Sequence, residues 1–486
     1  MTATAGRVQL GSDLGFGLDA IAGRLSPAER ADRGKAARSA VQRQSHAVCD
    51  PPGDRADPVS LLEHQATTRL PDLVPVWYGR MLASPFSYFR GAALAMAADL
   101  AATPVSGLAV QACGDAHLSN FGIYASPERA LVFDLNDFDE TLPGPWEWDV
   151  KRLAASLEVA GRENAYQRGQ RRKIVTAAVR RYREAMHGFA GQANLTVWYA
   201  RADVAELREQ FRSQLSARAR KKADQVTARA RTRDSIRALG KLTRLVDGRP
   251  RIAADPPLVV PLDDLVPADM DRARLQAELT AVVARYRRSL GTDRRYLLEQ
   301  FQMADMARKV VGVGSVGTRC WIVLMLGRDT SDPLFLQVKE AGPSVLEDFA
   351  GPSKYANHGQ RVVAGQRLMQ ATSDIFLGWH RSRFGPGDAS YDFYIRQLRD
   401  WKASADIATM TPAAMRAYGE LCGWTLARAH ARSGDRIAIA AYLGRSAVFD
   451  HAVGEFAAAY ADQNERDYDC LLAASKAGRV VAERDI

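Results

Sequence analysis

Two polar clusters set into apolar runs constrain this chain most. The first is Gly114-Asp115-Ala116-His117-Leu118-Ser119-Asn120. The second is Phe133-Asp134-Leu135-Asn136-Asp137-Phe138-Asp139-Glu140. Leu108-Ala109-Val110 leads into the first, and Ala130-Leu131-Val132-Phe133 joins the two. A buried carboxylate costs several kcal/mol unless it is paired, so packing alone would not collect these acids at the ends of strand-like runs. The spacing predicts a strand, a loop at 114–120, a strand at 121–124, a turn at Ser126-Pro127 and a strand at 130–135. Pro143-Gly144-Pro145 is then expected to break the chain, with Asp149 capping a long helix that carries Leu153, Leu157 and Ala160 on one face.

These residue types suit a particular chemistry. An Asp on a loop can orient or deprotonate an attacking hydroxyl. An Asn five positions later offers a neutral oxygen to Mg²⁺, which takes one or two carboxylates and fills its shell with phosphate oxygens and water. Asp115 is thus the candidate base, with Asn120 and Asp137 as candidate metal ligands. Asp134 competes with Asp137, because the strand before them can end at either. His117 could serve as ligand or base, or hold the loop by hydrogen bonding.

A second constellation lies far downstream. Val311-Gly312-Val313-Gly314-Ser315-Val316-Gly317 fits G-x-G-x-x-G, a weak signal in a chain with 37 glycines. Its context is stronger. A strand-like run at Cys320–Leu326 follows, then a turn at Gly327–Pro333, then Leu334-Phe335-Leu336-Gln337-Val338-Lys339. A glycine loop between strands with a lysine ending the next strand is the protein-kinase arrangement; a dinucleotide fingerprint would run directly into a helix. Gly312, Gly314, Gly317 and Lys339 are therefore candidate nucleotide-phosphate residues. The lysine needs an acidic partner. The predicted helix at 359–371 carries none, so Glu347 is assigned that place ahead of Glu340. Further strands are expected at Ile375–Trp379 and Phe393–Leu398, and helix from Pro412 onward.

Gly114-Asp115-x-His117-x-x-Asn120 resembles the catalytic loop of the aminoglycoside phosphotransferase and protein-kinase-like superfamily, and Asp137-Phe138-Asp139 resembles its metal-binding Asp-Phe-Gly. The resemblance implies an α+β, two-lobe kinase-like fold: a small antiparallel-sheet nucleotide lobe and a larger, mostly helical lobe. It implies ATP and Mg²⁺ as cofactors and a small-molecule acceptor, with Asp149 bracing the catalytic loop. The motif order is inverted, since the catalytic loop and metal Asp precede the glycine loop and lysine; circular permutation accounts for that. Across most of its length the chain also resembles the bacterial DUF2252 family, on Ser84-Pro85-Phe86, Arg90-Gly91, Pro145-Trp146-Glu147-Trp148-Asp149, Gln337-Val338-Lys339-Glu340-Ala341, Arg361-Val362-Val363, Gly365-Gln366-Arg367 and Ala427 to Asp435. The expected division of the chain is an N-terminal arm at 1–60 and a catalytic-loop and metal-site part of the helical lobe at 61–190. A helical basic insertion at 191–300, a nucleotide lobe at 301–402 and a C-terminal helical part at 403–486 follow. His430 and Asp435 fall at the active site or at a helix end.

Composition excludes some classes. No apolar run is long enough to span a membrane, and no secretory signal opens the chain. Five scattered cysteines without a CxxC pair argue against a disulfide framework and fit a reducing cytoplasm. Residues 201–250 hold fourteen Lys/Arg against six Asp/Glu, a surface that could dock nucleic acid or another polyanion. No aromatic residue lies between Arg212 and Arg251, so stacking on bases is unsupported. Two alternatives to a phosphotransferase stay open. One is a metal-dependent phosphoesterase using Asp115, His117, Asp134 and Asp137; the other is a nucleotide-binding regulatory pseudoenzyme.

Overall fold

The computed structural model describes residues 25–211, 235–265, 281–383, 390–398 and 400–484, with isolated positions between 221 and 232. Most of the basic cluster, including Arg218, Arg220, Lys222, Arg229 and Arg233, lies outside the described residues, as does the start of the N-terminal arm.

The first helix among the described residues is α1 (Pro27–Ala40), started by a capping box between Ser26 and Glu29. Four short helices follow: α2 (Pro58–Ala66), α3 (Val74–Met81), α4 (Pro85–Gly91) and α5 (Ala93–Ala101). Prolines cut this span into short pieces, because Pro58, Pro75 and Pro85 each sit in the first turn of a helix, where a missing N–H costs nothing. At the break after α3, Ser84 Oγ accepts the Ser87 N–H.

In chain order the strands are β1 (Ala109–Ala112), β2 (Phe121–Ala125), β3 (Leu131–Leu135), β4 (Leu142–Pro145), β5 (Ala202–Asp203), β6 (Thr243–Val246), β7 (Arg249–Ile252), β8 (Val259–Pro261), β9 (Gln302–Lys309), β10 (Cys320–Leu326), β11 (Pro333–Glu340), β12 (Gly378–Arg383), β13 (Ser390–Gln397) and β14 (Ala403–Ser404). The proline segment expected to break the chain is β4, paired antiparallel with β1. A two-stranded ribbon leaves each strand an unpaired edge, where proline is tolerated. The hairpin β2–β3 sits between β14 and β5.

The larger sheet is fully antiparallel, in the order β12-β13-β11-β10-β9-β8. Helix His358–Met369, between β11 and β12 in the chain, packs on β12 and β13. Strand β9 had no sequence signal, because its polar residues do not alternate with apolar ones. Segment 191–300 is not purely helical: it contributes the β6–β7 hairpin and places β8 at the sheet edge.

The helical part is built around α6 (Trp146–Glu163) and α7 (Arg168–Ala190), with helices Pro412–Ser433 and Val448–Lys476 against them. Almost every α6 residue from Trp146 to Gly161 is buried, charged ones included, and Trp146 stacks on Tyr182 with centroids 5.7 Å apart. Helix Pro412–Ser433 ends against β1. Ser433 Oγ accepts the Gln111 N–H at 3.2 Å, and a Cβ on Gly434 would lie 2.9 Å from the Ala109 carbonyl oxygen. Among the described residues, no helix is long and apolar enough to cross a membrane.

Candidate functional site

The first polar cluster forms a loop pinned from below by Asp149. Its Oδ2 accepts the Cys113 N–H at 2.6 Å, its Oδ1 the Gly114 N–H at 2.9 Å. His430 Nε2 lies 3.0 Å from Oδ2, and its Nδ1 is 2.9 Å from the Tyr182 hydroxyl. Asp149 therefore does not cap α6, whose N-cap is Pro145; it lies in the first turn and spends its carboxylate on the loop. Asp435, the other residue singled out near that helix end, caps the next helix, accepting from Ile437 and Ala438. Gly114 has φ +82°, and a Cβ there would sit 2.4 Å from the Glu140 carbonyl oxygen, so glycine is required twice over.

Within the loop, Asn120 Nδ2 donates to the Asp115 carbonyl at 2.6 Å. Arg152 Nε donates to Asp115 Oδ1 at 2.8 Å. The other oxygen, Oδ2, lies 3.5 Å from His117 Nε2. Burial pushes the His117 imidazole down to about 4, so it is neutral near pH 7, and its Nδ1 accepts the Ser119 N–H. That matches the loop-holding reading of this histidine.

The second cluster divides its acids between two faces. Asp134 is buried; its carboxylate is taken by Arg428 and by the backbone N–H groups of Leu135 and Ala371. Asp137 and Asp139, two residues apart, point instead to the cleft and to Lys339. Lys339 Nζ lies 2.6 Å from Asp139 Oδ2 and 3.7 Å from Asp137 Oδ2. Tyr394 donates to Asp139 Oδ1 at 2.7 Å, and Ser315 of the glycine loop to Oδ2 at 3.2 Å. Burial opposes charge on Asp139, yet Lys339 overrides it and holds the carboxyl at about 2. Burial, reinforced by Asp139, pushes the Asp137 carboxyl up. Burial likewise opposes charge on Lys339, but the two carboxylates hold its ammonium well above its ordinary value.

Glu347 is not the partner of Lys339. Its carboxylate accepts the N–H groups of Ser344 and Ser353 and lies near His358 and Arg361. The correct partner, Asp139, stands inside the motif already singled out; the signal was its i,i+2 spacing from Asp137. Glu340, the other acid considered, pairs with Arg319.

The glycine loop joins β9 to β10. Gly312 and Gly317 have φ +65° and +86°. Val310, Val313 and Val316 are buried in one cluster with Leu73, Trp77 and Tyr78 of the N-terminal helices and Leu471 of the last helix. Arg69 Nη1 donates to the Val316 carbonyl, Arg80 Nη1 to the Gly312 carbonyl at 2.7 Å, and the Leu70 N–H to the Gly317 carbonyl at 2.7 Å. The N-terminal helices thus clamp this loop, a contact the sequence did not signal.

Between the loops lies a cleft of about 600 Å³. Asp115, His117, Asn120, Asp137, Asp139, Gly312, Gly314 and Ser315 line it from the two motifs, and Gln65, Arg69 and Arg90 from the N-terminal helices. Gly317 docks on the N-terminal helices instead. Among the described residues, no three or more His, Cys, Asp or Glu side chains are grouped to hold a metal by themselves.

Residues 69–474 match the model of a family described as an uncharacterized protein conserved in bacteria (DUF2252). No curated protein and no solved structure matches the chain.

Proposed function

We propose that this chain, which belongs to the DUF2252 family, is an ATP- and Mg²⁺-dependent phosphotransferase of kinase-like, circularly permuted fold acting on a small-molecule acceptor. The observation that carries the reading is the meeting of the buried Lys339 with Asp137 and Asp139, which line the cleft that holds Asp115 and Asn120. Kinases combine a glycine loop, a lysine on the third strand of the nucleotide sheet, a catalytic-loop Asp and Asn, and a metal-binding Asp. Here the glycine loop joins β9 and β10, and the lysine ends β11 next to them.

Permutation draws support from the junction at β1. Helix Pro412–Ser433 follows the nucleotide sheet in the chain and ends against the strand that leads into Asp115. A chain in standard order would pass from that helix into the catalytic loop; here the two meet through space.

The donor set suits Mg²⁺. Asn120 gives its amide N–H to Asp115, which leaves the amide oxygen for a cation, and Asp137 faces the same cleft. One carboxylate and one neutral oxygen suffice where phosphate oxygens and waters complete the shell. Bound Mg²⁺-ATP supplies the phosphoryl group and neutralises its charge. Arg152 anchors Asp115 Oδ1, so Oδ2 is the oxygen that orients the acceptor hydroxyl and takes its proton. Lys339 holds nucleotide phosphate oxygens, Asp139 keeping it charged and in place.

The phosphoesterase reading needs Asp134 as a ligand, and Asp134 is committed to Arg428 away from the cleft. A regulatory nucleotide-binding protein remains the second reading, favoured by the hold of Asp139 on Lys339; it predicts nucleotide binding without turnover. The test is thermal stabilisation by ATP and Mg²⁺ of wild type, Lys339→Ala and Asp137→Ala. The phosphotransferase reading expects a shift in wild type that both variants lose. No shift in wild type would overturn it.

A further inference from the structure

The cleft wall contributed by the N-terminal helices holds polar atoms that the rest of the molecule leaves unused. Arg69 Nε, Arg90 Nε and Gln65 Oε1 are all buried without a hydrogen-bond partner, and all three residues line the cleft. The other cleft arginine, Arg319, is matched to an acid, Glu340, and Arg152 behind the catalytic loop is matched to Asp115. Among the described residues, Arg69 and Arg90 form no ion pair with a carboxylate. A cation taken out of water without a counter-charge is costly, and so is a buried donor left unmade. Two such arginines on one wall are the signature of a site completed by an anion.

The position of the wall says which anion. Arg90 ends α4 next to the glycine loop, since a Cβ on Gly314 would lie 3.4 Å from its carbonyl oxygen. It lines the same cleft as Asp115 and His117. The wall therefore adjoins both the glycine loop and Asp115 within one cleft. Gln65 can present its amide nitrogen by rotation about its last bond, which would add a donor to the two guanidinium groups.

We propose that Arg90, Arg69 and Gln65 form an anion subsite for the acceptor, so that the molecule phosphorylated here carries a phosphate or carboxylate group besides its reacting hydroxyl. This rests on the phosphotransferase reading and narrows its small-molecule acceptor to an anionic one. Arginine suits the role because its planar fork matches phosphate and carboxylate oxygens.

The test uses one sugar scaffold in three charge states. The full chain, with and without a non-hydrolysable ATP analogue and Mg²⁺, is titrated with inorganic phosphate, glucose 6-phosphate, glucose and glucosamine while melting temperature is followed. Phosphate and glucose 6-phosphate should stabilise wild type, glucose and glucosamine should not, and Arg90→Gln should weaken the phosphate response at least tenfold. Arg90→Lys should retain part of it, and unliganded melting curves show that both variants are folded. An unchanged response in Arg90→Gln, or a preference for glucosamine, overturns the subsite. If Arg90→Gln instead weakens the ATP analogue tenfold while sparing ADP, the wall serves the nucleotide's terminal phosphate and the acceptor assignment falls. If the ATP analogue shifts nothing while phosphate still acts through Arg90, the phosphotransferase reading falls and the anion subsite stands.

Discussion

The buried Lys339 and the cleft-lining Asp139 form an ion pair at 2.6 Å although 200 residues separate them in the chain. The pair ties the third strand of the large sheet to the loop that follows β3, and Tyr394 and Ser315 attach to the same carboxylate. Asp139, and not an acid on the helix after the lysine strand, is the acidic partner of Lys339. Helix His358–Met369 offers Arg361 instead, whose guanidinium donates to the carbonyls of Asp139, Thr141 and Gly342.

Removing one member of that pair should be costly. Asp139→Asn is expected to destabilise the protein by about 3–5 kcal/mol, the usual penalty for stranding a buried charge. The double variant with Lys339→Met should recover part of the loss. A double-mutant cycle in urea checks this; additivity within about 0.5 kcal/mol would mean that the two residues are not coupled.

Asp115→Asn should separate chemistry from binding. The amide keeps the shape of the side chain but cannot take a proton, so turnover of ATP, with water or an identified acceptor, should fall by about 10²–10⁴-fold. Stabilisation by the ATP analogue should stay within a factor of a few. An equal loss of both would place Asp115 in nucleotide binding rather than in proton transfer.

Asp149→Ala should loosen the loop at 114–120 although Asp149 itself does not line the cleft. It leaves the Cys113 and Gly114 N–H groups and His430 without their shared acceptor, at about 1–3 kcal/mol per stranded group. Hydrogen exchange at Cys113 and Gly114 should speed up markedly, while Tyr182→Phe, which removes only the outer contact to His430, should leave it almost unchanged.

Glu147 predicts a pH dependence. It is fully buried beside Lys151, and burial pushes its carboxyl up from 4.5 to about 7. Burial also pushes the Lys151 ammonium down to about 8, so desolvation outweighs the attraction between the two. With the folded-state value above the unfolded one, the native state binds more protons between pH 4.5 and 7, and this residue's contribution to stability is lost as pH rises through that window. Glu147→Gln should match wild type below pH 4.5 and exceed it above pH 7, by about 3 kcal/mol from the size of the shift. Melting curves of the two proteins from pH 4 to 8 give the difference; a constant offset would show that Glu147 does not titrate there.

Much of the site was legible because its motifs are local. The loop at 114–120, strands β2 and β3, the glycine loop and helix His358–Met369 follow from patterns a few residues long. Element ends were harder, as at β4, where paired prolines read as a break although a ribbon edge accepts them. Strand β9 was invisible because its partners β8 and β10, not its own composition, make it a strand. Glu347 was chosen for nearness to Lys339 in sequence, and that nearness did not survive folding.

The sequence alone determined which groups can do chemistry: Asp115, Asn120, Asp137 and Lys339 announce themselves because carboxylates, amides and a strand-end lysine are out of place in apolar runs. Tertiary structure decided their relations. Asp134 and Asp137 are three residues apart in one motif, yet Arg428 captures the first while the cleft and Lys339 take the second. Arg69 and Arg90, undistinguished among 66 basic residues, become a wall of the site only because the N-terminal helices clamp the glycine loop. The physical reason is that a charge is stabilised by what stands within a few ångströms of it, and those neighbours come from segments hundreds of residues away.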